Sequence, residues 1–196
     1  MDYYKITNKK EEHRGMRYKT GLNIDSQPFH PYGSCTGGGI YFTRKDILSF
    51  LDYGPWIRKV TIPKNARVYA DPDVVEKWKA NRVRLGKRTR ITLPVIKRLV
   101  KEGADPNADN SRALRSAVIT GCPARVKYFI LQAPVNPFAT CIALRVAVLH
   151  AEPRYVKILV DFGSYSKATL AETLAISRRC PPSGCLEILT KKIKEY

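Results

Sequence analysis

ALRSAVITGCPARVKYFI (residues 113–130) and ALRVAVLHAEPRYVKILVDFG (residues 143–163) are two copies of one pattern, offset by 30 positions. The offset extends in both directions. Ile96, Val126, Val156 and Leu186 align, as do Leu99, Phe129, Leu159 and Leu189. Ala113-Leu114 aligns with Ala143-Leu144 and Thr173-Leu174, Ala117 with Ala147, and Pro123 with Pro153. Each unit reads as a short Ala/Leu helix, a tight turn, a second helix opened by proline, and a loop. Proline suits a first helical turn because it has no N–H to lose there. One such unit cannot bury its own apolar stripe, so neighbouring units must stack, and small residues on the first helix let them approach.

These units resemble ankyrin repeats. VIKRLVKEGADPNA (95–108) is similar to the second helix and loop of that family, with Gly103 suited to a left-handed helix cap. Gly121 stands in the inter-helix turn of the next unit, where the following unit has Ala151. TLAISRRCPPSGCLEIL (173–189) is degenerate, as a capping repeat is. The family's Thr-Pro-Leu-His start is replaced by Arg112-Ala113-Leu114-Arg115, and the spacing of 30 is shorter than the family's usual ~33. The Ala-Leu-Arg start followed by Val-Lys-Tyr-Phe looks especially like the ankyrin proteins of giant viruses of the mimivirus kind. The resemblance implies a non-catalytic binding scaffold, with a host protein as partner. Arg112, Arg115 and Arg145 could form a basic face for that partner; they also suit an ordinary solvated helix surface.

The first ninety residues follow a different rhythm. Tyr3–Thr7 and Met16–Ile24 read as strand pieces around a turn, and Ile40-Tyr41-Phe42 as a short strand. Thr43 with Asp46 matches a capping pattern for a helix carrying Ile47, Leu48, Phe50 and Leu51. Gly54-Pro55 ends it, and residues 56–63 alternate like a strand, with a further strand at 67–69. DPDVVEKWK (71–79) reads as helix or loop. The expected fold class is therefore a small α+β domain (1–90) followed by an all-α ankyrin-repeat solenoid of about three to four short repeats (91–196).

Gly37-Gly38-Gly39 invite comparison with phosphate-cradling loops. Such loops put glycine after a strand and at the opening of a helix. Here the glycines precede the strand, with no Gly-Lys-Ser/Thr ending, so they read as a flexible turn feeding a β–α–β unit. The N-terminal half also resembles the uncharacterised domain that precedes ankyrin repeats in the giant-virus proteins. More locally, GGGIYFTRKDILSFL followed by a Val-x-Ile-Pro strand looks like a segment of the ADP-ribosyltransferase fold, which implies a cleft for NAD beside Tyr41. The resemblance implies a catalytic set with an early His or Arg, a Tyr, and a late Glu. Only Tyr41 stands where it should; Glu76 is the one late acid offered, and His13 and His30 fall in loops.

The chain carries a formal charge of +18. Its densest block, residues 77–101, has ten basic residues and no acidic one. Such a field attracts polyanions, so Lys87, Arg88, Arg90, Lys97 and Arg98 are the candidate nucleic-acid contacts. Five scattered cysteines, an odd number, point to a reduced intracellular protein, with host cytoplasm the first choice and nucleus or virion left open. Cys180 and Cys185 are spaced too loosely for a zinc knuckle, and no metal or cofactor is called for. No apolar run approaches the ~20 residues of a membrane span, and the polar start is unlike a secretory signal.

Overall fold

The computed structural model describes residues 2–33, 35–71, 75–133 and 135–195. The chain separates into two compact units, Met1–Asp109 and Asn110–Tyr196. These limits follow packing. Limits of 1–90 and 91–196 follow the sequence period, and the two differ by the segment around Leu93–Lys101.

The first unit is built on two antiparallel sheets. In the larger, β1 (Tyr3–Thr7) pairs with β6 (Trp56–Thr61), β6 with β9 (Arg82–Leu85), and β9 with β4 (Gly21–Ile24); β10 (Thr89–Arg90) also pairs with β6. The smaller sheet has the order β5 (Ile40–Phe42), β8 (Lys77–Ala80), β7 (Val68–Asp71). A two-residue hairpin joins β2 (Glu12–His13) to β3 (Met16–Arg17). Ile40, Phe42 and Ala80 from one sheet share a core with Val60, Val83 and Leu85 from the other, and Tyr18 closes it. Helix α1 (Leu93–Lys101) follows, and the Tyr4 hydroxyl donates to Glu102 just beyond its end at 2.9 Å.

Three local readings are corrected. Lys45–Phe50 is a 3-10 helix kinked at Asp46, and Thr43 does not cap it. The Thr43 hydroxyl donates to the Glu76 carbonyl, while Asp46 accepts the Glu76 N–H at 2.7 Å, so both side chains fasten a distant strand entry. Second, β5 and β6 lie in different sheets, so no β–α–β unit forms. Third, the end of DPDVVEKWK is strand β8; residues 72–74 of that stretch lie outside the described residues.

The triple glycine is a pinned turn. The Gly38 N–H donates to Gln27 Oε1 (3.1 Å) and the Gly39 N–H to Asp25 Oδ2 (2.7 Å), so side chains of this chain take the donors a phosphate would need. A Cβ on Gly39 would lie 2.6 Å from the Lys79 stem, and one on Gly38 would lie 2.3 Å from the Pro28 carbonyl oxygen.

The second unit is helical throughout its regular structure: α2 (Ala108–Ile119, begun in the preceding unit), α3 (Pro123–Leu131), α4 (Pro137–Leu149), α5 (Pro153–Phe162), α6 (Lys167–Ser177) and α7 (Cys185–Lys194). Helix α4 packs on α5 and α6, and α5 packs on α3 and α7. The 30-residue register is written in the burial. Val126, Val156, Phe129, Leu159 and Leu189 are inaccessible to solvent, as are Leu114, Ala143 and Leu144 to within 1%. Leu186 departs, at 38% exposed, where the last unit becomes degenerate.

The turn between paired helices also repeats. Gly121 is left-handed (φ 71°); its N–H donates to the Val118 carbonyl, and the Cys122 N–H to that of Ala117. Ala151 takes the same conformation (φ 52°) with the same bonds to Val148 and from Glu152 to Ala147. Gly103 closes α1 in this way too, as the sequence predicts.

Candidate functional site

A cavity of about 280 Å³ opens beside Tyr41 within the first unit. It lies where the two sheets part. Tyr4 and Thr43 form a single antiparallel bridge between β1 and the end of β5, and the strands do not pair beyond it. Ile6, Phe42, Ile47, Phe50 and Tyr53 give it an apolar wall. Its nitrogen-bearing side chains are Lys5, His13, Arg14 and Lys77.

Lys5 is the unusual member. Buried to 7% exposure on an outer strand, it donates from Nζ to the Tyr41 carbonyl at 2.8 Å and lies 4.6 Å from the centre of the Tyr18 ring. Burial drives its ammonium down to about 7. His13 is held below its ordinary value, by burial first and then by the charges of Lys5 and Arg14. Lys77 is buried beside Asp71 at 3.7 Å, and Lys79, wholly buried, donates to Thr36 Oγ1 and lies 5.1 Å from the centre of the Tyr41 ring.

The cavity therefore has Tyr41 and His13 in its wall, yet it does not assemble the transferase set. Among the described residues, none of the lining side chains is a carboxylate. Glu76 turns away and accepts the Lys45 N–H at 3.0 Å, and His30 bonds the Tyr32 carbonyl.

The basic block is split by the fold. Lys77 and Lys79 face inward on β8, whereas Lys87, Arg88, Arg90, Lys97 and Arg98 are exposed. Lys87 and Arg88 border an open polar cleft of about 710 Å³ together with Lys9, Lys10, Arg17 and Lys19. Arg88 lies over the Trp56 ring, 4.6 Å from its centre. Arg90, Lys97 and Arg98 do not line this cleft; Arg98 pairs with Glu102 along α1 at 3.6 Å. The cleft floor holds a buried ion pair invisible to pattern reading: Arg58 grips Glu11 through Nε (2.7 Å) and a terminal nitrogen (2.9 Å).

On the helices, Arg112, Arg115 and Ile119 are spaced i, i+3, i+7 and share one face of α2, as Arg145 and Leu149 share one face of α4. Ile119 is 57% exposed and Leu149 is 62% exposed, so an apolar residue beside an arginine recurs one unit apart on the surface. Arg145 also reaches Glu172 of α6 at 2.6 Å.

Two helical repeats in register, with matching turns and buried positions, define an ankyrin-type helical stack. A protein of Acanthamoeba polyphaga mimivirus that is named for ankyrin repeats is 44% identical over 129 residues, covering 62% of this chain and 42% of its own. A protein of the same virus named only as uncharacterized is 35% identical over 129 residues, 61% of this chain and 90% of its own. Another, also named for ankyrin repeats, is 38% identical over 90 residues, 43% of this chain and 44% of its own. The chain belongs to this family of mimivirus ankyrin repeat proteins. It spans less than half the length of the two relatives named for their repeats. No protein-family model matches the chain, and no solved structure does. Among the described residues, no helix is long and apolar enough to cross a membrane.

Proposed function

We propose that the chain is a non-enzymatic interaction protein whose ankyrin repeats, taken as residues 91–196, bind a protein of an infected host, in the host cytoplasm. The observation that carries this reading is the recurrence of an exposed apolar residue beside an arginine, Ile119 with Arg115 and Leu149 with Arg145. Interface cores bury apolar surface, and Arg is the charged residue enriched beside it. A partner with an acidic rim around an apolar centre fits it. The test immobilises the full chain and probes host-cell extract, alongside full-length variants carrying Ile119→Glu with Leu149→Glu, or Arg112, Arg115 and Arg145 all changed to Glu. A specific protein retained by the parent and lost, by about tenfold or more, by both variants is expected. Retention unchanged by either set, or no specific protein at all, would sink the idea.

A second reading rests on the cleft bordered by Lys9, Lys10, Arg17, Lys19, Lys87 and Arg88. Its spread of cations over one surface suits a phosphate backbone. Changing Lys19, Lys87 and Arg88 to Glu should weaken binding to RNA or DNA and lower the slope of log affinity against log salt by about two to three. An unaltered slope would count against nucleic acid as the ligand.

A further inference from the structure

Lys5 lies on the wall of the apolar cavity, and no carboxylate among the described residues pairs with it. A buried ammonium with a single carbonyl acceptor is costly. Lysines placed this way elsewhere serve as amine nucleophiles toward carbonyl groups. The rest of the cavity says which carbonyl compound fits. Phe50, Tyr53 and Tyr41 offer flat apolar surface, while Arg14 brings positive charge to the same lining beside Lys77, whose own charge is shared with Asp71 at 3.7 Å. The volume, about 280 Å³, suits a single small ring rather than an extended molecule.

We propose that Lys5 captures a small aromatic aldehyde or ketone bearing an acidic group, forming an imine within this cavity. The Nζ lone pair attacks the carbonyl carbon, and the carbonyl π pair moves to oxygen. A proton passes from nitrogen to that oxygen to give a carbinolamine. Loss of the hydroxyl with the remaining N–H proton releases one water and leaves a C=N bond. Nothing is oxidised or reduced. The Tyr41 carbonyl accepts one N–H of the neutral amine and leaves its lone pair for attack.

The protonation state supports the same assignment. The charged and titratable groups around Lys5 are His13, Arg14, Tyr18, Tyr53 and Lys77, with Arg58 opposite it in the β1–β6 register. Tyr4, Cys35 and Tyr41 also line the cavity, and the carboxylates of Asp71 and Glu11 are engaged elsewhere, Asp71 with Lys77 at 3.7 Å and Glu11 with Arg58 at 2.7 Å. With its ammonium pushed down to about 7, Lys5 holds a large neutral fraction at pH 7, while an exposed lysine holds about one part in 2,500.

The experiment uses the full chain with pyridoxal 5′-phosphate, then pyridoxal, each trapped by cyanoborohydride and mapped by peptide mass spectrometry. Lys5 should be reduced onto the probe at pH 7 at least about tenfold faster than any exposed lysine, with half-maximal rate near pH 7. Pyridoxal, which lacks the phosphate, should label it severalfold more slowly. Lys5→Met should abolish the fast adduct and leave the slow surface background. Labelling spread over exposed lysines with Lys5 blank overturns the proposal, and equal rates for the two probes overturn the acidic group. The wild-type peptide map decides the matter even where the variant fails to fold.

Discussion

Glu11 and Arg58 show what single residues contribute here. Arg58 gives two bonds to Glu11, one to Thr20 and one to the Gly86 carbonyl, so its buried charge is fully answered. Removing one partner of such a pair strands the other; Glu11→Gln should cost about 3–5 kcal/mol in chemical denaturation. The hydrogen bond from Arg58 holds the Glu11 carboxyl below its ordinary value. Its contribution is present above the ordinary carboxylate range and is lost as pH falls through the lowered value, so the acid limb of the stability profile should flatten in the variant. Lys5 shifts stability with pH in the same direction for the opposite reason, because burial penalises its charged form. Its folded-state value, about 7, lies below the ordinary one, so from pH 7 to about 10 the unfolded chain binds the extra proton and stability rises with pH. Lys5→Met should erase that rise, read from denaturant midpoints compared on either side of this pH range. The resemblance to the ADP-ribosyltransferase fold points to a cleft beside Tyr41, and a cavity lies there. Lys5 was not legible: in YYKIT a lysine between apolar neighbours reads as the solvent face of a strand, and only the parting of two sheets buries it.

Among elements, the helix–turn–helix unit was the most legible, because one period fixed the apolar face, the turn and the opening proline together. Ala151 tests that reading. A β-carbon in the left-handed region costs about 1–2 kcal/mol, which glycine avoids at some cost in chain entropy. Ala151→Gly should therefore raise stability by about 0.5–1 kcal/mol, and Gly121→Ala should lower it by about 1–2, both read from thermal or denaturant midpoints. The glycine turn follows the same logic with a steric addition. Gly38→Ala combines φ 70° with a carbonyl 2.3 Å away and should cost about 2 kcal/mol or more. The 3-10 helix was misread because Thr43 and Asp46 carry a capping spacing, yet the Glu76 backbone competes for both side chains. Long-range partners of that kind leave no trace in local pattern.

For the whole molecule, charge and period were visible from the start, and topology was not. The short strands β8 and β10 pair with β5 and β6, far from them in sequence, whereas the β2–β3 hairpin is local. The basic block likewise divides only in three dimensions, two lysines turning inward, Arg82 half-buried and the rest exposed. In a stack where α5 touches α3 and α7, and α4 touches α6, each junction resembles the last. A segment of 30 residues is thus a transferable module. Duplicating or excising one, in frame, lengthens or shortens the array without rewriting its neighbours. Through such edits a lineage can change the reach of its recognition surface far faster than by point mutation.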